Sequence, residues 1–351
     1  STPILPVAAF LPRLPGDYAK NRDWNLGALA HYLEALDVRK EAHRMAALFG
    51  AKMPHVATFV PGGVTCGVDP AAIEDFRSRL RRVRRFIEKH YLPDVIAAAR
   101  HYSPYTRIGG GAHRYLCFGV FDEGKNDWLP SGFLDKGNLQ KFDSNKITEE
   151  TATSYYAGKK ALHPRSGEID PQPGKDGAYS WLKAPRYDKA PCEVGPLARI
   201  LVADSLGHKE VRSGLSDFLG ESGLNRKDLH SVMGRHAARA LEALLIARRM
   251  DHWLDTLKPG EASVSPYVSR PKGAGHGRTA APRAALRHGV EITDTKIARY
   301  QCVVPSTWNF APRDAAGNPG PVEAALAGTP VKAEHKGLEA ARVVRSFDPC
   351  I

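Results

Sequence analysis

The sequence predicts a mainly α-helical protein with a small β component. Apolar residues recur at helical spacing over several long stretches, of which 24–49 and 225–257 are the clearest. Between them, residues 103–190 are rich in Gly, Pro, Asp, Lys and aromatic side chains, a composition typical of short strands joined by long loops. The sequence shows no internal repeat.

The first predicted elements follow a proline-rich segment. Residues 1–20 are expected to form an extended arm whose order depends on a partner. Helices are predicted over 24–49 and 69–90, and the Asp-Pro pair that opens the second one provides a capping side chain and a first-turn proline. A further helical stretch begins at Pro93.

Helices resume after the strand-rich segment. They are predicted over 196–206, 212–219 and 225–257, and Asn225 or Asp228 is the expected cap of the longest one.

The last quarter of the chain mixes loop, strand and helix. Residues 258–280 are rich in Gly, Pro and Ser, which predicts a loop. Residues 285–291 and 296–305 are predicted to pair as a β-hairpin, because apolar residues alternate around a turn at 293–294. A final helix over 322–326 is expected to lead into the C-terminal tail.

Bulk composition limits the class of protein. The chain has 351 residues, of which 42% are hydrophobic, so it is long and apolar enough to bury a sizeable core. No stretch approaches the roughly 20 apolar residues that span a bilayer, and the N-terminus lacks the basic and apolar regions of a targeting signal. We therefore expect no membrane insertion by the chain itself.

We expect one large body preceded by an arm. The arm is 1–20 and the body is 21–351. Within the body, the helical parts are 21–102 and 191–257. A loop- and strand-rich insertion occupies 103–190, and the functional segments lie within 275–351.

The formal net charge of +12 suits nucleic acid, an acidic protein or an anionic surface. The densest basic run lies at 77–85, where apolar residues recur at helical spacing and the arginines occupy the other face. A solvated helix face explains this run better than a nucleic-acid footprint, because no aromatic stacking platform or zinc-knuckle spacing accompanies it. No nucleic-acid partner is expected.

Five cysteines lie far apart in the sequence, at positions 66, 117, 192, 302 and 350. An odd number of widely spaced cysteines in a long chain is not typical of a disulfide framework. Cys350 differs from the rest, because it follows Asp348-Pro349 in a tail that cannot be the interior of a helix or strand. A lone cysteine is more often a small buried hydrophobe than a ligand. As a thiolate ligand for a metal, Cys350 would be stabilised by positive charge, for which Arg283 and Arg345 are candidates.

Several segments together resemble the large subunit of nickel-iron hydrogenases, and the resemblance extends over nearly the whole chain. The segments are GAKMPHVATFVPGGVT at 50–65, DGAYSWLKAPRYDKAPCEVGPLAR at 176–199, GRHAARALE at 234–242, APR at 281–283, YQCVVPSTWN at 300–309, PRD at 312–314 and SFDPC at 346–350. The resemblance implies a fold in which long helices bundle around a buried metal site and irregular segments carry the ligands.

The resemblance also implies a nickel-iron centre, Ni-Fe(CO)(CN)2, that cleaves dihydrogen heterolytically. Cys350 matches a terminal nickel ligand of the family. Arg283 matches the arginine over the open face of the metals, and Asp348 matches the aspartate that hydrogen-bonds beside this arginine and fixes it. A guanidinium stays protonated and offers fixed donors, so Arg283 would polarise the substrate and help to move the proton.

Other matched positions surround this centre in the family. Pro305 and Ser306 match residues that line the diatomic ligands of the iron, where the serine hydroxyl can donate to a cyanide nitrogen. Cys302 matches a position whose backbone carbonyl reaches a magnesium near the C-terminus. His55 matches a histidine close to the site, and a packed structural histidine is an equally good interpretation.

The sequence departs from the family pattern at the metal ligands. The family holds nickel with two Cys-x-x-Cys pairs, and residues 1–351 contain only the first cysteine of the C-terminal pair. Either three further cysteines come from outside these residues or there is no such centre. Arg287 and Gly289 also replace the usual glycine and tryptophan, and the loss of the tryptophan is expected to open a hole that something must fill.

Two functions remain open at this point. The first is that of an enzyme, in which the chain forms part of the catalytic large subunit of a nickel-iron hydrogenase, an oxidoreductase that cleaves dihydrogen reversibly. The second is that of a metal-free relative, which keeps the body as a structural or interaction module. The joint presence of Cys350, Asp348, Arg283, Pro305 and Ser306 favours the enzyme.

The resemblance implies a partner as well. The family's large subunit pairs with a small subunit that carries iron-sulfur clusters, so we expect a heterodimer or a larger assembly. A membrane would be reached only through partner subunits. A periplasmic or membrane-associated location is favoured over a purely cytoplasmic one.

Overall fold

The computed structural model describes residues 15–350 except 159, 166, 168 and 269. It contains 43% helix and 20% strand, so the β component is larger than the sequence pattern indicated. Most of the predicted arm, residues 1–14, and the C-terminal Ile351 lie outside the described residues.

Nine α-helices lie in the described part of the chain. They are α1 Arg22–Gly50, α2 Pro70–Phe86, α3 Leu92–His101, α4 Pro196–Ser205, α5 Lys209–Ser222, α6 Val232–Thr256, α7 Pro305–Asn309, α8 Pro321–Leu326 and α9 Leu338–Ser346. A π-helical turn over Ile87–Tyr91 joins α2 to α3. Among the described helices, none combines the length and the apolar composition that a membrane span requires.

All strand pairs of the described sheets are antiparallel. The strands are β1 Phe59–Val60, β2 Gly63–Val64, β3 Arg114–Asp122, β4 Asp127–Asp135, β5 Asn138–Gln140, β6 Ile147–Glu150, β7 Ala184–Tyr187, β8 Gly273–Ala281, β9 Ala284–Thr293 and β10 Lys296–Val303. They form two pairs, β1-β2 and β6-β7, and two three-stranded sheets in the orders β3-β4-β5 and β10-β9-β8.

The start of α2 agrees with the predicted cap, whereas the predicted start of α6 is wrong. Asp69 caps α2 by accepting the Ala71 N–H at 2.9 Å, as predicted. The helix predicted to begin at Asn225 instead begins at Val232, and Ser231 is its cap. A 3₁₀ turn over Arg226–Leu229 precedes it.

A close backbone contact accompanies this interruption. At Gly234, in the first turn of α6, an added Cβ would lie 1.9 Å from the carbonyl oxygen of Leu229. Only glycine therefore allows the 3₁₀ turn to fold back onto the start of α6.

Helix α6 lies at the centre of the packing. Its buried apolar residues are Val232, Met233, Ala237, Ala238, Ala240, Leu241, Leu244, Leu245, Ala247 and Leu254. It packs against α2, α3, α4, α5 and α9, and together with α4 and α5 it covers one face of the β3-β4 hairpin. The apolar spacing predicted for this helix is confirmed, and His236 is buried among these residues.

The basic run on α2 contacts two neighbouring helices of the same chain. Arg77 donates to Asp255 of α6 at 2.8 Å and lies 3.4 Å from Asp251. On the other side, Arg79 pairs with Glu41, which is a buried residue of α1. These arginines therefore join helices through carboxylates rather than forming only a solvated face.

Three predictions for the last quarter of the chain are wrong. Residues 273–280, predicted as loop, form most of β8, because this Gly- and Ala-rich segment pairs along its whole length with β9. The β9-β10 hairpin exists, but it turns at residues 294–295, and β10 ends at Val303 before Pro305 starts α7. Helix α9, which was not predicted, is the helix that leads into the tail.

The described part of the arm packs on this chain. The Ala19 N–H donates to the Tyr102 hydroxyl at 3.1 Å, and Ala19 itself is buried. Asp17 accepts from Arg342, a buried residue of α9. The described end of the arm thus contacts the body of the same chain, next to the helix that leads to Cys350.

Candidate active site

Three separate segments meet at the C-terminal end of the described chain. Pro282 and Arg283 form the two-residue turn between β8 and β9. Pro305 and Ser306 are the first residues of α7, where the fixed backbone of proline suits the first helical turn. The tail after α9 is the third segment and lies outside any helix or strand, as predicted.

Cys350 and Ser306 are in direct contact. The backbone N–H of Cys350 donates to the Ser306 hydroxyl oxygen at 3.0 Å, and Cys350 itself is exposed. Because the hydroxyl oxygen accepts this bond, its own proton remains available for another acceptor. The tail is therefore joined to the N-terminal end of α7.

Arg283 and Asp348 are also paired. Arg283 Nε donates to the backbone carbonyl of Asp348 at 3.0 Å, and the Asp348 carboxylate lies 3.5 Å from the same nitrogen. The closer contact is thus to the backbone rather than to the side chain. Asp348 has a φ of +53°, in the left-handed region that aspartate tolerates better than most residues.

Two arginines of α6, Arg235 and Arg239, hold the tail, and neither was predicted as a site residue. Arg239 donates to the Ser346 carbonyl at 3.0 Å, and its Nε lies 4.0 Å from the Asp348 carboxylate. The guanidinium of Arg235 lies 3.7 Å from the centre of the Phe347 ring. The sequence feature that could have indicated them is a pair of arginines four residues apart on a helix that is otherwise largely apolar.

A buried asparagine joins α7 to the loop before α4. Asn309 accepts the Val194 N–H at 3.0 Å and donates to the Val194 carbonyl at 2.9 Å, so both backbone groups of Val194 are paired. Asn309 is buried. This clamp fixes α7, and with it Ser306, relative to the β-rich half of the chain.

The other two predicted site residues, His55 and Cys302, have different neighbours. His55 is exposed on the loop after α1, and the hydrogen bonds and ion pairs found among the described residues do not connect it to the tail. Cys302 lies on β10 opposite His288, and its thiol is 3.3 Å from the His288 Nδ1. The Cys302 thiol therefore has a histidine neighbour, whereas the family resemblance assigns a role to its backbone carbonyl and none to its thiol.

Two other cysteines, Cys117 and Cys192, are buried and structural in character. Burial raises the pKa of the Cys117 thiol to about 11 and that of the Cys192 thiol to about 12. A thiol of this kind stays protonated at neutral pH and is inert as a ligand. Cys350 is the exposed cysteine of the chain.

The described residues do not form a complete metal site by themselves. No group of three or more His, Cys, Asp or Glu side chains within them is arranged to hold a metal ion. Cys350, in contact with Ser306 and two residues after the Asp348 that pairs with Arg283, fits one edge of a metal centre, and a soft-metal centre needs further ligands.

Comparison with known proteins identifies the fold. The profile of the nickel-dependent hydrogenase family matches residues 7–351. The Ni-Fe-Se hydrogenase structure from D. vulgaris Hildenborough in the reduced state superposes with a TM-score of 0.90 at 37% identity, over 99% of this chain and 75% of that chain. The fold is that of a hydrogenase large subunit.

Two curated relatives of similar sequence are also large subunits or large chains of hydrogenases. The periplasmic [NiFeSe] hydrogenase large subunit of Desulfomicrobium baculatum is 36% identical over 98% of this chain, and the quinone-reactive Ni/Fe-hydrogenase large chain of Wolinella succinogenes is 35% identical over 95%. The chain belongs to the nickel-dependent hydrogenase family. It spans 71% and 64% of the lengths of these two relatives, respectively.

Proposed function

We propose that this chain is part of the catalytic large subunit of a nickel-iron hydrogenase, which cleaves dihydrogen reversibly into protons and electrons. The observation that carries the proposal is the meeting of Arg283, Asp348, Ser306 and Cys350, which come from three segments of the chain. A body kept only for packing has no need of an exposed cysteine next to a paired arginine.

Each residue of this group has a proposed task. Cys350 would bind nickel as its thiolate, a soft ligand suited to such a metal. The metal centre, when bound, would supply a Lewis acid for the reaction. Arg283 keeps a permanent positive charge beside Cys350, and its fixed donors would hold a proton acceptor or polarise the substrate. Ser306 would use its free proton to donate to a ligand of the iron.

The remaining ligands, in this proposal, are provided in the native assembly by residues other than those described. Support comes from the partial coverage of the relatives and from the single cysteine at the site. A bound magnesium near Cys302 and a role for His55 close to the centre are proposed on the resemblance alone.

The proposed partner is a small subunit that carries iron-sulfur clusters, which would conduct the electrons away. The proposed location is the periplasm or a membrane reached through that partner. The names of two relatives support this location, since one is periplasmic and another is quinone-reactive.

Infrared spectroscopy combined with elemental analysis of the native complex tests the proposal. Carbon monoxide and cyanide bound to iron absorb where protein does not, so the bands of both groups are expected together with stoichiometric nickel. If the bands and the nickel are both missing, the chain acts as a structural or interaction module instead.

A further inference from the structure

We infer that Arg199, fixed by Glu242, is a positioning residue for Arg283. This inference rests on the proposed function, because it concerns the same site. Neither residue was a candidate in the sequence analysis, and neither contacts Cys350 in the hydrogen bonds of the described residues.

Arg199 and Glu242 form a buried, two-point ion pair between α4 and α6. Arg199 Nη2 donates to Glu242 Oε2 at 2.7 Å, and Arg199 Nε donates to the other carboxylate oxygen. The two side chains are only 4% and 8% exposed. A pair of this geometry locks the plane of the guanidinium, because two parallel hydrogen bonds leave no free rotation.

The locked guanidinium reaches the turn that carries Arg283. Arg199 Nη1 donates to the Ala281 carbonyl at 3.1 Å, and Nη2 donates to the Pro282 carbonyl at 3.0 Å. Two successive carbonyls immediately before Arg283 are therefore bound to one rigid group. Only arginine among the side chains has enough donors, in a fixed planar fork, to hold a carboxylate and two carbonyls at once.

The start of α4 adds a third contact to this turn. A Cβ added at Gly195, which has a φ of +129°, would lie 3.0 Å from the Arg283 carbonyl oxygen. The carbonyl of Arg283 therefore packs against the helix that bears Arg199. The backbone of residues 281–283 is held to α4 and α6, the same α6 whose Arg239 holds the tail.

These contacts determine the position of the Arg283 guanidinium. Its side chain is 40% exposed and is held at its tip by Asp348. Since both ends of the Arg283–Asp348 contact are fixed to α6, the distance between Arg283 and Cys350 is set by that helix. Loss of Arg199 would free the turn, although the side chains of Arg283, Asp348 and Cys350 would themselves be unchanged.

Amide hydrogen exchange of the native complex provides the first test. In Arg199→Lys and in Glu242→Gln, the amides of residues 283–285 are expected to exchange at least about tenfold faster, as their turn loosens. The matched control is Arg186→Lys, another buried arginine that pairs with Asp314 and donates to a loop carbonyl, that of Pro312. Unchanged exchange in both variants, or equal acceleration in the control, would overturn the inference whether or not the complex shows hydrogenase activity.

A double-mutant cycle on hydrogen turnover provides the second test. Arg199→Lys is expected to lower turnover in the wild-type background and to have little further effect in an Arg283→Lys background, because it acts through Arg283. A merely structural role predicts that the two losses multiply. If Arg199→Lys does not assemble, Glu242→Gln replaces it in the cycle. If the wild-type complex shows no hydrogen turnover, the proposed function is contradicted. The hydrogen-exchange experiment then still decides whether Arg199 holds the turn.

Discussion

At the scale of single residues, buried arginines organise this protein. Arg186, Arg199, Arg235 and Arg342 are each at most 4% exposed, and each is paired with a carboxylate. A buried charge is tolerated only when it is paired and hydrogen-bonded, so removal of either partner costs about 3 to 5 kcal/mol. Arg283 differs from them because it is partly exposed and pairs mainly with a backbone carbonyl.

Arg283→Lys is expected to lower hydrogen turnover by at least about tenfold while nickel and iron contents stay within error of wild type. Lysine keeps the charge but lacks the planar fork that holds the Asp348 carbonyl and a second partner together. Turnover assays and elemental analysis of the purified complex measure the two effects. Unchanged turnover at equal nickel content would remove Arg283 from the mechanism.

His236 on α6 is expected to make stability depend on pH. Burial, helped by Arg239 and Arg235, lowers the pKa of His236 to about 3. The unfolded chain then binds a proton near its ordinary pKa of about 6.5 while the folded chain does not. Stability is therefore fully present above about pH 6.5 and falls as the pH drops toward 3, by up to about 1.4 kcal/mol per pH unit.

His236→Gln should reduce this slope, since glutamine does not titrate. The free energy of unfolding of the native complex, measured between pH 4 and 7, gives the slope for each variant. His252→Gln, at an exposed position of the same helix, is the matched control. Equal slopes for wild type and His236→Gln would contradict the assignment.

At the scale of elements, α7 depends on one clamp. Asn309→Leu is expected to destabilise the protein by about 2 to 4 kcal/mol, because both buried backbone groups of Val194 lose their partner. Chemical denaturation measures this loss. The exposed Asn138→Leu on β5 makes the same chemical change and should stay within about 0.5 kcal/mol of wild type. A loss at Asn309 no larger than that at Asn138 would show that the clamp contributes little.

The elements also show which sequence signals were reliable. Helix α2 was predicted with its cap, because Asp69-Pro70 acts locally and needs no distant partner. Strand β8 was missed, because its Gly- and Ala-rich sequence has no preference of its own and becomes a strand only through β9. Helix α9 was missed, because only three of its nine residues, Leu338, Arg342 and Val343, are buried apolar or arginine side chains, which is a short pattern.

At the scale of the whole molecule, the described surface contains many exposed apolar side chains. Residues at least half exposed include Leu26, Leu33 and Leu36 on α1, together with Phe59 and Val268. The three leucines fall on one side of α1, since they are spaced by seven and three residues. Exposed apolar area of this kind is typical of a surface that a partner covers.

The chain expressed alone is therefore expected to aggregate, and coexpression with its small subunit is expected to yield a soluble complex. Obligate interfaces resemble a core cut in half, so neither half is stable in water by itself. Size-exclusion chromatography with light scattering distinguishes the outcomes. A monodisperse, well-folded monomer of the isolated chain would count strongly against an obligate partner.

The family, the helical framework and the candidate residues Arg283, Asp348, Ser306 and Cys350 could be predicted from the amino-acid sequence, because they occur in local motifs and periodic patterns. How these residues are held depends on the packing of elements that are distant in the sequence. Arg199 lies 82 and 83 residues before Ala281 and Pro282, whose carbonyls it binds, and Arg239 lies 107 residues before Ser346, whose carbonyl it binds. Their contacts depend on how α4, β8 and the tail pack around α6, and a hydrogen bond between residues so distant in sequence leaves no local pattern to read.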